Sequence, residues 1–249
     1  MPEWMQAGLW GLVSGGALVV GAAIAWFVRV PRLVIAAIMA FGAGVLVSAL
    51  SFELVDEAER TGGLGATVVG LLVGAGAYVA ANVALARRGA RHRKRSGDQQ
   101  PSEGQVSGSG AAIAIGALLD GVPESTVLGL SLTGGEGVGL AVLAAILLSN
   151  LPEGLSSAAG MKRSGRSAAF VFGVWSAIAV ASGIAGLLGY VVFAGAPGGT
   201  VAVITALAAG AILAMVVDTM VPEAFEETGL YNGALCVLGF ISAFAISRG

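Results

Sequence analysis

An all-α, polytopic membrane protein of eight transmembrane helices is the fold class the sequence predicts, and three observations predict it. Of 249 residues, 56% are apolar and 11% are charged, with a mean hydropathy of +0.88; soluble domains of this size carry far more charge. Apolar runs of about 20 residues, the length that crosses the hydrocarbon of a bilayer, recur along the chain. Basic residues gather in alternate connections between those runs, as they do when one side of a membrane retains them.

The first run lies near 8–28. Before it, Met1–Ala7 holds Glu3 and no lysine or arginine, so the start reads as a span and not as a cleavable leader. Further spans are predicted near 33–54, 64–86, 111–132, 138–160, 168–194, 200–222 and 229–247. Residues 87–110, basic and then Ser/Gly/Gln-rich, have too few apolar groups to bury a core; they predict a flexible cytoplasmic loop within a single transmembrane domain, 1–249. Arg29 and Arg32 follow the first span, Arg87, Arg88, Arg91, Arg93, Lys94 and Arg95 the third, and Lys162, Arg163 and Arg166 the fifth. These are 11 of the 13 basic residues, Arg60 and Arg248 being the others. Their placement predicts a multi-pass protein of the inner (plasma) membrane with both termini outside. The lipid bilayer is thus the expected partner, and nothing points to nucleic acid. Cys236, the one cysteine, excludes an internal disulfide and reads as a small packing residue. The pairs Gly11/Gly15 and Gly70/Gly74 fit close helix packing or a homodimer face.

Internal repeats add to this. Gly44 to Ala58 aligns without gaps on Gly210 to Ala224, and the stretch around Asp120-Gly-Val-Pro-Glu124-Ser aligns on Ser149-Asn-Leu-Pro-Glu153-Gly. Each matched pair falls on spans that run in opposite directions, which predicts an inverted-topology repeat with a site near the midplane.

That site is predicted from cost. A charged side chain at mid-bilayer costs about 2.5–3.5 kcal/mol even on the lenient insertion scale, so carboxylates there need a partner or a task. On a helix Asp120 and Glu124 share one face, and Ser149, Asn150 and Glu153 stand at i, i+1 and i+4. Of seven prolines, only Pro123 and Pro152 lie deep within spans, where each removes a donor and frees the carbonyl four residues back, that of Leu119 and of Leu148. Carboxylates, an amide, a hydroxyl and bare carbonyls suit a divalent cation. The acidic groups Glu53, Asp56, Glu57 and Glu59, outside, and Glu223, Glu226 and Glu227, inside, would attract ions to either mouth or simply solvate helix ends.

On these residues the chain resembles the ZIP family of metal-ion transporters. The fourth and fifth spans of that family carry His-Asn-x-Pro-Glu-Gly-like motifs, and the second- and seventh-span stretches, the eight spans and the long third cytoplasmic connection are similar too. The resemblance implies a ZIP-like bundle and carries over Glu124, Asn150 and Glu153 as metal ligands, with Asp120 as a substituted one. Departures accompany it. Asp120 and Ser149 stand where the family has histidine, Gly121 where it has asparagine, Ser182 and Thr219 where it has glutamate, and Glu53 where histidine is frequent. His92, the sole histidine, reads as a solvated loop residue. Without imidazole the site leans toward harder ions, so manganese, ferrous iron and magnesium gain ground, and manganese and iron stand beside zinc as expected cargo.

The sequence therefore predicts transport of a divalent metal (zinc, manganese or iron) toward the cytoplasm, the metal being substrate, with no organic cofactor and no enzyme activity; no nucleotide-binding loop is visible. Two other readings stay open: a transport-inactive relative serving as metal sensor or membrane scaffold, and a proton or small-solute pathway through Asp120, Glu124 and Glu153.

Overall fold

The computed structural model describes residues 1–134 and 138–248. It is 86% helix, and no strand occurs among the described residues. Nine α-helices follow one another there: α1 (Glu3–Phe27), α2 (Arg32–Ala49), α3 (Asp56–Leu85), α4 (Ser109–Ser131), α5 (Leu140–Arg163), α6 (Ala168–Phe193), α7 (Gly198–Met215), α8 (Val221–Thr228) and α9 (Asn232–Arg248). Pro2, Pro31 and Pro197 immediately precede α1, α2 and α7, with φ fixed near the helical value and ψ extended, while the Ser167 hydroxyl caps α6 by accepting from Phe170 N–H.

The number of separate spans differs from the sequence expectation. Among the described residues, six helical stretches are long and apolar enough to cross a membrane, of which Arg32–Ala90 runs for 59 residues and Gly198–Arg248 for 51. The predicted spans 33–54 and 64–86 fall in the first of these, and 200–222 and 229–247 in the second. The joins are helical because π-turns carry the chain through Leu50–Val55 and Val216–Met220, and the acidic run Asp56–Arg60 continues α3. What interrupts each stretch is a glycine at positive φ: Gly63 (φ 75°, ψ 168°) inside α3 and Gly229 (φ 52°) after α8.

The helices pack in matched pairs: α3 along α7, α2 along α9, α1 along both α6 and α5, and α4 along α6. Small residues permit this closeness. A Cβ added to Gly44 would overlap the Cys236 carbonyl, and one added to Gly210, its repeat partner, would overlap that of Leu71. The reciprocal contacts match as well, Gly239 resting on the carbonyl of Phe41 and Gly74 on that of Leu207. The two π-turns also fall at aligned positions of the repeat. The largest apolar core joins α2, α4, α5 and α7, and a second lies among α1, α4, α5 and α6. The polar cluster sits where α4 and α5 face these layers.

Candidate functional site

Helix α4 supplies Asp120 and Glu124, one turn apart, and α5 supplies Ser149, Asn150 and Glu153. All five are buried, the three carboxylates being only 1–4% exposed. The structure gives Asp120 partners that sequence reasoning missed. Its Oδ1 accepts from Tyr78 Oη of α3 at 2.7 Å and from Arg93 Nη2 at 2.8 Å, and its Oδ2 accepts from Arg93 Nε at 2.9 Å. Arg93 is thus bidentate on the carboxylate, the geometry in which guanidinium binds best. Its other N–H groups are used too: Nη2 also donates to Tyr78 Oη at 2.8 Å, and Nη1 donates to Asn82 Oδ1 at 2.7 Å.

Lys94 bridges the two helices. Its Nζ lies 2.7 Å from Glu153 Oε2 and 3.4 Å from Asp120 Oδ2. Two cations therefore stand among three carboxylates, and Glu124 has no ion-pair partner among the described residues. Glu124 Oε1 and Glu153 Oε1 are buried without a hydrogen bond, an arrangement costing about 1–3 kcal/mol per group and more for a charged one. Between Lys94, Asp120, Asn150, Glu153, Ser157 and Trp175 lies a cavity of about 10 Å³, the space of a single water.

Of the remaining predicted ligands, Asn150 Nδ2 donates to the Ser14 carbonyl of α1 at 2.9 Å, which aims the amide across the helix interface, and Ser149 Oγ donates to Ile146 O at 3.0 Å. Both oxygens keep accepting capacity. As a ligand set the predicted residues fit a cation in part. No group of three His, Cys, Asp or Glu among the described residues converges in a metal-holding arrangement, and both oxygens of Asp120 are engaged by Arg93 and Tyr78.

Residues 91–100, expected to be a disordered solvated loop, contribute Arg93, Lys94, Ser96 and Gln100 to the interior. The physical reason is charge balance: carboxylates removed from water require cations, and no lysine or arginine lies inside the apolar runs to supply them. That imbalance was the available signal, and the basic residues nearest in sequence to Asp120 are those of 91–95. Glu223 and Glu226 dock this segment. Glu223 Oε1 accepts from Ser96 N–H at 2.8 Å, its Oε2 lies 3.5 Å from Arg95 Nη1, and Glu226 pairs with Arg95. His92 lines a surface hollow with Arg95, Gln99, Pro222, Phe225 and Glu226; partial burial first, then the charges of Arg95 and Arg91, lower its basicity. On the other side, Glu53 and Glu57 line a cavity of about 750 Å³, with Asp56 paired to Arg60 at 2.6 Å.

Family models and the curated proteins return no match to this chain.

Proposed function

We propose that the chain is a ZIP-like carrier that moves a divalent metal ion (zinc, manganese or iron) across the membrane toward the cytoplasm, through the carboxylates of α4 and α5. The observation that carries this reading is that a cation, the Lys94 ammonium, is held between carboxylates of the two proline-containing helices, 2.7 Å from Glu153 and 3.4 Å from Asp120. A site that holds an ammonium with carboxylate oxygens presents the hard donors that a divalent ion takes, and Glu124 supplies a further charge for it.

Eight crossings suit this reading. Helix of 59 residues would extend about 88 Å at 1.5 Å per residue, against hydrocarbon about 30 Å thick. Chain reversal at the positive-φ glycines Gly63 and Gly229 would divide each long stretch into two crossings, giving eight with the four separate helices. The matched glycine contacts then read as an inverted repeat, whose two halves rock about the α4–α5 pair. The alternate basic connections place themselves in the cytoplasm of an inner membrane, and the cavity lined by Glu53 and Glu57 becomes the outer mouth.

The test is uptake of zinc, manganese and ferrous iron into vesicles reconstituted with the chain. Uptake above that of empty vesicles, lowered by Glu153→Gln, is the expected result. A second reading has one observation in its favour: Arg93 saturates Asp120, as in a protein whose site has become a structural ion-pair core serving a membrane scaffold. Absence of uptake for all three ions, with the protein folded, selects it.

A further inference from the structure

Resting on the divalent-cation reading, we propose that Lys94 is a tethered substitute for the cargo ion, so that metal binds only by exchange with its ammonium and with withdrawal of the segment that carries it. Three features make the seat a built one. Room is reserved for it: a Cβ added to Gly116 of α4 would lie 2.6 Å from Arg93 Cδ, and one added to Gly160 of α5 would overlap the Arg95 carbonyl. The backbone is fastened on either side of Lys94, since Gln100 Nε2, with two N–H donors, lies 3.0 Å from each of the carbonyls of Arg93, Arg95 and Ser157. A latch closes it from α8: Glu223 holds Ser96 N–H, and Ser156 Oγ lies 2.6 Å from the Lys94 carbonyl and 2.9 Å from Glu223 Oε1. A basic segment merely resting on the surface would need none of these.

The ammonium stands where an ion would be coordinated, so the two exclude each other. Binding then draws only on the fraction of molecules whose segment is withdrawn, and an open fraction of about 1–10% weakens apparent affinity about ten- to a hundredfold. Withdrawal is a local opening with an equilibrium of its own. Glu223, on α8, acts through the segment and is a positioning residue for it.

The experiment uses the full chain in detergent. Lys94 and Lys162 are its only two lysines, so acetylation by an amine-reactive reagent, followed by peptide mass spectrometry, reports the seat with an internal standard. In the wild type Lys94 is expected to react at least about tenfold more slowly than exposed Lys162, and Glu223→Gln is expected to abolish that protection. Zinc, manganese and ferrous iron are then titrated against thermal stability in wild type, Lys94→Gln and Glu223→Gln. Both variants are expected to bind metal about ten- to a hundredfold more tightly. Glu223→Gln is the decisive variant, because removing a negative charge would by itself weaken cation binding. Equal reactivity of the two lysines in the wild type, or metal binding that neither variant tightens, overturns the inference and leaves the cation reading standing. Absence of metal binding in all three proteins overturns both.

Discussion

Replacing Arg93 by methionine is the perturbation whose size the structure sets most closely. Arg93 is 2% exposed, with its guanidinium on Asp120 at 2.8 and 2.9 Å and on Tyr78 and Asn82. Arg93→Met keeps much of the side-chain length and leaves Asp120 buried with Lys94 as its only cation, 3.4 Å away. Breaking a buried pair from one side costs about 3–5 kcal/mol. For a chain of this size that is a fall in Tm of about 6–20 °C, at about 2–4 °C per kcal/mol. Arg93→Met combined with Asp120→Leu removes both charges, and the residual cost is then chiefly an unpartnered Tyr78 hydroxyl, about 1–3 kcal/mol. The double variant should therefore melt above Arg93→Met alone, with a coupling energy of about 2 kcal/mol or more. Thermal melting followed by tryptophan fluorescence in detergent measures this. Single-variant shifts within 2 °C of wild type, or strict additivity, would refute the buried pair.

Glu153→Gln should lower metal uptake about tenfold or more at unchanged expression, because it removes a ligand charge without changing shape; vesicle uptake at matched protein density checks it, and unaltered uptake removes Glu153 from the site. Gly210→Ala should cost about 1–3 kcal/mol by overpacking against the Leu71 carbonyl, whereas Gly16→Ala, with open space around it, should cost nothing measurable; melting temperatures of the two decide. Glu103 has its carboxyl held down to about 2, first by the hydrogen bond from Arg166 and then by the amides of Gly108 and Gly110, against an ordinary value of 4.5. A carboxyl depressed in the fold adds stability that is present above its unfolded value and lost as pH falls through its folded one. The stability difference between wild type and Glu103→Gln should accordingly be constant above about pH 5 and vanish as pH falls from 4.5 to about 2; a difference independent of pH contradicts the pairing. The effect is expected to be small, since the group is open to solvent.

The helices were legible because their signal is composition over 20 residues, and the carboxylate cluster because charges are so rare in these runs that Asp120, Glu124 and Glu153 stand out. Helical spacing alone placed Asp120 beside Glu124, and Asn150 beside Glu153. The π-turns at Leu50–Val55 and Val216–Met220 leave no local mark, since their residues suit an α-helix equally well, and so helix carries on past the expected ends of the second and seventh spans as far as Gly63 and Gly229. Arg93 and Lys94 were hidden for another reason. A run such as Arg91-His-Arg-Lys-Arg95 reads as solvated by local criteria, and only the charge balance of the folded interior calls its members inward. Tyr78 was one aromatic residue among many apolar neighbours, and Gln100 lay in a stretch whose composition carries no period. Their roles are tertiary: Tyr78 is defined by Asp120, 42 residues on, and Gln100 by Ser157, 57 residues on.

The central claim, that α4 and α5 hold a divalent ion between their carboxylates, is tested most directly by anomalous scattering from crystals grown separately in zinc, manganese and iron, for wild type and Lys94→Gln. The account predicts a peak bounded by Glu124, Asn150 and Glu153, with metal–oxygen distances of about 2.0–2.2 Å for zinc, stronger in Lys94→Gln than in wild type. Peaks confined to exposed acids such as Glu226 and Glu227, with none between the two helices in either protein, would contradict it.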